Sequence, residues 1–112
     1  MTSANLFDDL PDKATTEEIV GQLLTSTNVR IERIVSSGQA SPPGFWYDQP
    51  QAEWVLLMQG SAEIRFEDEP TVRALKAGDY LYIAPHRRHR VERTQTQPLT
   101  VWLAIHIEPA VS

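Results

Sequence analysis

The chain reads as an all-β domain, an antiparallel sandwich or barrel, on three observations. From Val29 onward about seven short segments alternate or run apolar, as strands do. Turn residues, chiefly Gly, Pro, Asp and Ser, punctuate them at regular intervals. No stretch between these segments offers the crossover helix that a parallel sheet requires.

Residues 1–14 are polar, with apolar anchors at Leu6, Phe7 and Leu10, and read as an arm or a frayed terminus. Thr15-Thr16-Glu17-Glu18 fits a capping box, in which the Thr15 hydroxyl accepts the Glu18 amide and the Glu18 carboxylate reaches back. Ile19, Val20, Leu23 and Leu24 follow at helical spacing, which predicts one short amphipathic helix. The expected division is therefore 1–28, an arm and short N-terminal helix packing on the barrel, and 29–112, the barrel itself. Within the barrel, Val29 to Val35 alternates apolar with charged, and Ser36-Ser37-Gly38 breaks it. Glu53 to Gln59 is nearly all apolar, as a strand covered on both faces would be, and Gly60 ends it. Ser61 to Glu67 alternates again before the acidic turn Glu67-Asp68-Glu69-Pro70. Thr71 to Leu75, Tyr80 to Ile83, His89 to Thr94 and Thr100 to Ile107 complete the expected strands.

Length and composition narrow the function. The 112 residues fit one domain with one modest core. A net charge of −5 argues against nucleic acid or an anionic membrane as the main partner. The absence of cysteine excludes disulfides, thiolate metal sites and cysteine nucleophiles. The first residues lack the basic leader and apolar run of a secretory signal, and no stretch approaches a membrane span of about 20 apolar residues. A cytoplasmic protein is expected. Ser36, Ser37 and Ser41 lie in turns without a nucleophile elbow, and the five dispersed glycines form no phosphate-cradling loop.

Two phrases carry a family resemblance. Glu53-Trp54-Val55-Leu56-Leu57-Met58-Gln59-Gly60 places a glycine seven positions after a glutamate. Gly78, Pro85 and His89 recur in Gly78-Asp79-Tyr80-Leu81-Tyr82-Ile83-Ala84-Pro85-His86-Arg87-Arg88-His89. Both resemble motifs of the cupin superfamily, a small β-barrel or jelly roll, with the proline displaced by one position. The likeness extends over about residues 29 to 107, and Ser41 to Gln49 also looks like a group of short single-domain cupins. The chain departs from the pattern where the first motif should carry a histidine pair. Aligned on Pro50, Tyr47 and Gln49 take those positions; with a loop longer by one residue, Trp46 and Asp48 do. Neither alignment supplies an imidazole.

The resemblance implies a site inside the barrel, and the residues weigh in as follows. Glu53 heads an apolar strand, where an ionised carboxylate is costly unless paired or metal-bound. His89, Val91 and Arg93 alternate onto one face of their strand, so His89 and Glu53 can converge. Glu53, His89 and an oxygen of Gln49 or Asp48 are the candidate ligands of a divalent Mn, Fe, Ni or Zn ion. The alternative is a metal-free pocket in which Glu53 pairs with Arg33 or Arg93. Tyr47, Arg33, Arg93, Trp102 and His106 are the candidate pocket residues, and Trp54 falls on the opposite face from Glu53. Arg87-Arg88-His89-Arg90 suits an anion, or simply pairs with the surrounding carboxylates. The expected function is a small single-domain cupin holding a metabolite, with or without a metal; whether it is an enzyme stays open. The resemblance further implies a homodimer.

Overall fold

Residues 3–109 are described by the structure, a computed structural model. Eight strands follow one another: β1 (Ile19–Thr25), β2 (Val29–Ser36), β3 (Ala52–Gln59), β4 (Ser61–Phe66), β5 (Arg73–Lys76), β6 (Tyr80–Ile83), β7 (His89–Thr94) and β8 (Thr100–Ile107). They form a five-stranded sheet in the order β1-β2-β8-β3-β6 facing a three-stranded sheet in the order β5-β4-β7. Every pairing is antiparallel. The predicted all-β barrel, and each strand predicted from Val29 onward, are present to within two residues at their ends.

The predicted N-terminal helix is absent; its residues form β1. Ile19 pairs with Val35 and Thr25 with Arg30, across a tight turn in which the Ser26 amide donates to the Val29 carbonyl at 2.8 Å. The capping box does not form either. The Thr15 amide donates to Ser37 Oγ at 3.0 Å, and the Glu18 carboxylate accepts from the Ser36 hydroxyl. Apolar residues in adjacent pairs suit a helix face, but they suit equally a strand whose register shifts between Gln22 and Leu24, as here. The open edge of β2 decides the matter, since pairing there satisfies a whole row of backbone groups. Residues 19–25 are thus part of the larger sheet.

Packing follows the period of two. From the larger sheet, Val55, Leu57, Leu81, Ile83, Trp102 and Ala104 face the smaller one. Ala62, Ile64, Phe66 and Leu75 answer from the other side. Phe66 and Leu57 are fully buried, each worth about 1.5–3 kcal/mol of burial. Gly60 makes the tight β3–β4 turn possible. It has φ 87°, and a Cβ there would sit 2.8 Å from Thr100 Oγ1 and 2.9 Å from the Thr100 Cα. The core fills one end of the barrel and leaves the other hollow.

Candidate functional site

The hollow end is a cavity of about 200 Å³. Its body is apolar: Val55 from β3, Ile64 from β4, Ile83 from β6 and Val91 from β7 line it. Its polar groups come from several strands and from the loop before β3. Glu53 and His106 are direct cross-strand partners on β3 and β8, so one register position delivers both. Glu32 arrives from β2, where it shares the inward face with Ile34. Tyr47 and Gln49 reach in from the loop before β3, opposite His89 on β7.

That loop is held in place. Tyr47 makes a two-bond backbone bridge with His89, at 2.7 and 3.2 Å, and its ring stacks on the imidazole with centroids 5.3 Å apart. The His86 amide donates to the Gln49 carbonyl at 2.7 Å from a left-handed backbone, φ 61°, an arrangement a non-glycine residue adopts at a cost. His86 Nδ1 and the Asp48 carboxylate meet at 2.7 Å on the surface. Asp48 is thus spent outside the cavity, whereas Gln49 points in and donates from Nε2 to Glu53 Oε1 at 2.9 Å. Of the two alternatives for the inward position, Gln49 takes it.

His89 is only 5 % exposed. Its Nδ1 lies 2.8 Å from the Arg87 carbonyl, which can only accept, so Nδ1 carries the proton and Nε2 is left as the acceptor. Among the described residues Nε2 has no hydrogen-bond partner. His106 is oriented the other way round. Its Nε2 donates to Glu32 Oε1 at 3.0 Å, while its buried Nδ1 has no partner. A buried bare lone pair costs less than a buried unpaired N–H, so this tautomer is the favourable one.

Glu32 is the saturated member of the site. Gln22 donates to it, Arg30 Nε lies 3.2 Å away, and His106 completes the set. Burial raises its pKa, but the Gln22 hydrogen bond, the interaction with His106 and the Arg30 charge outweigh that and hold the carboxyl below its ordinary value. The Tyr47 phenol is pushed up by burial and by the Glu18 and Glu53 charges. Both carboxylates therefore act on that one hydroxyl. Glu18, like Glu53, lines the cavity.

Several sequence expectations are relocated. Arg33 lies on the outer face, one residue out of phase with Glu32 and Ile34, and its guanidinium holds the carbonyls of Leu6 and Asp8. Arg93 is turned outward by a register shift: β7 spends two residues, Arg93 to Val91, where β4 spends one, Glu63 to Ile64. That extra residue reverses the facing of everything beyond it, so Arg93 meets Glu63 on the surface at 3.9 Å while His89 and Val91 keep the cavity. Neither arginine reaches Glu53, whose partner is Gln49. The remaining basic run is paired: Arg87 with Asp68 and Glu69, Arg88 with Glu67, Arg90 with Glu92. Trp102, Tyr47 and His106 do line the cavity, and Trp54 stacks outside it on Tyr80, centroids 5.4 Å apart.

Sequence reading missed Glu18, Glu32 and Gln22. A signal existed for Glu32. Ile34 and Val35 are adjacent apolar residues in an otherwise alternating strand, which marks a second covered face, and Glu32 is in phase with Ile34. Glu18 gave no such sign, because it was absorbed into an apparent helix cap.

Among the described residues no three His, Asp or Glu side chains converge to hold an ion. Gln49, standing where an imidazole would be, is occupied with Glu53. These residues do not fit a divalent transition-metal centre. No helix among the described residues is long and apolar enough to cross a membrane.

Comparison with known proteins comes from families and solved structures. The family model "Cupin domain" matches residues 33–106. A "putative mannose-6-phosphate isomerase" from Ralstonia eutropha JMP134 is 47% identical, with TM-score 0.92, covering 97% of this chain and 100% of that one. A cupin superfamily protein from Desulfitobacterium hafniense DCB-2 superposes with TM-score 0.73 at 19% identity, over 89% of this chain and 84% of its own. An RmlC-like cupin from Shewanella frigidimarina gives TM-score 0.70 at 13% identity, over 92% and 88%. These last two share the fold alone. No curated protein matches.

Proposed function

The chain belongs to the cupin domain family, and from that premise we propose that it is a binding module, holding a small, donor-rich molecule inside the barrel without a metal ion. One observation carries this reading: the polar atoms still free in the cavity are mainly acceptors. Glu53 has one oxygen beyond its bond to Gln49, Glu18 lines the wall, and His89 turns an unpartnered Nε2 inward. These acceptors open onto the cavity and meet water there, so a ligand bringing N–H or O–H groups takes the place of that water. The apolar walls take its body.

The Ralstonia protein's name points to a sugar phosphate. Among the described residues no lysine or arginine lines the cavity, and three carboxylates do. A phosphate would meet repulsion without a compensating guanidinium or ammonium group. The test is a thermal-shift and calorimetry panel of polyols, amines and sugar phosphates, run with and without EDTA. A donor-rich compound is expected to raise Tm by mass action, equally in both conditions. A panel that gives no shift, or a shift abolished by EDTA, refutes the reading.

A second reading concerns assembly, and a specific surface favours it. We propose that the chain forms a homodimer through the outer face of the larger sheet. There Trp54 packs on Tyr80, and Tyr80 and Tyr82 are 64% and 57% exposed. Light scattering at micromolar concentration is expected to give a dimer, and Tyr82→Lys a monomer. A monomeric parent protein overturns this.

A further inference from the structure

We propose that the ligand of this cavity is an organic cation, a small amine or amidine on an apolar body. The inference rests on the binding reading above and adds the sign of the charge. Of the three carboxylates in the wall, Glu32 is matched by Arg30 and hydrogen-bonded by His106. Glu18 and Glu53 have no such match: among the described residues neither forms an ion pair, and their partners are the neutral Ser36 hydroxyl and Gln49 amide. An adjoining depression of about 270 Å³ shares Glu18, Tyr47 and Val91 with the cavity and adds Glu17. Approach and interior therefore carry the same sign, and a partly enclosed apolar cavity screens such charges less than open solvent does.

His89 supplies an independent reason. Its side chain is almost wholly buried, and its one free nitrogen faces the cavity as an acceptor. An ammonium group carries only donors, which suits the acceptors that Glu53, Glu18 and His89 each present along the wall, whereas it would bring no acceptor needing a donor in return. A carboxylate or phosphate presents acceptors to acceptors. The raised Tyr47 phenol agrees, because the Glu18 and Glu53 charges both bear on the hydroxyl that would border the bound cation. Val55, Ile64 and Ile83 offer the hydrocarbon surface for the rest of the molecule.

Three probes of nearly equal shape separate charge from size: cyclohexylmethylamine, cyclohexylmethanol and cyclohexanecarboxylate. Calorimetry at pH 7 on the full chain is expected to rank the amine at least about tenfold above the alcohol, with the carboxylate weakest. Glu53→Gln or Glu18→Gln narrows the gap between amine and alcohol while alcohol binding is kept. Circular dichroism checks that each variant folds, and a variant that does not is replaced by the other. If the alcohol binds as well as the amine, the cation proposal fails and the binding reading stands. If the carboxylate binds best, or the amine preference survives in both folded variants, the proposal is likewise overturned. If no probe and no member of the wider panel binds, the binding reading itself fails and takes this one with it.

Discussion

Glu32→Gln preserves the shape of the site and is expected to destabilise the fold by about 2 kcal/mol, within the 1–3 kcal/mol cost of an unsatisfied buried group. The magnitude follows from donor counting. Glu32 accepts from His106, Gln22 and Arg30, and all three present N–H groups. A glutamine has one accepting oxygen and one donating amide, so at least one of those donors faces another donor. His106 could switch tautomer to receive the new N–H, but the proton would then move to Nδ1, which is buried without a partner. A third arrangement flips the exposed Gln22 amide to receive the new N–H and turns Arg30, whose side chain is 38% exposed, away to water, so every arrangement gives up either a buried pairing or a charge-assisted bond. Urea denaturation measures the loss as a shift in midpoint at unchanged slope. The corresponding fall in Tm is roughly 4–8 °C per kcal/mol for a domain near this size. The pH dependence has a definite sign. The folded carboxyl titrates below its ordinary value of 4.5, so its contribution is complete above about pH 4.5 and is lost as pH falls through the folded value. The gap between parent and variant should therefore close in acid. A variant within about 0.5 kcal/mol of the parent at pH 7, or a gap that widens in acid, refutes the reasoning, as would ¹⁵N shifts placing the His106 proton on Nδ1.

Three further outcomes are expected. Leu57→Ala, at a fully buried position in the core between the sheets, should cost about 2–5 kcal/mol by denaturant titration; a loss near 0.5 kcal/mol would mean that the core is not packed as described. Gly60→Ala combines a positive φ with a Cβ 2.9 Å from backbone, so it should destabilise by more than about 1 kcal/mol, and a neutral or stabilising result would contradict that turn geometry. Added Mn, Fe(II), Ni or Zn should leave Tm unchanged, and His89→Ala should not alter that response, because the donors do not converge; a saturable rise in Tm lost in His89→Ala would restore a metal site.

Much of the barrel was legible because strand periodicity is local. Ala62, Ile64 and Phe66 alternate with Glu63, Arg65 and Glu67, and that pattern alone places three residues in the core. Glu53, Gln49, Tyr47 and His89 were picked out from the sequence too, and they line one cavity. The helix expectation failed over Ile19 to Leu24 because its apolar pairs satisfy two periods at once; only the free edge of β2 distinguishes them. Arg93 was placed by strict alternation, which a single extra residue in β7 reverses.

Composition and spacing therefore determined the fold class, the bounds of the strands from Val29 onward and some of the residues that line the cavity, since these depend on turn chemistry and a period of two along one chain. Partnership was decided by the tertiary structure alone. That Glu32 meets His106 across 74 positions of sequence, that Gln49 rather than an arginine reaches Glu53, and that the basic run is spent on the surface are facts of register and bulge. Such facts belong to pairs of strands, so no single segment carries them, and they set the charge that the cavity offers to a ligand.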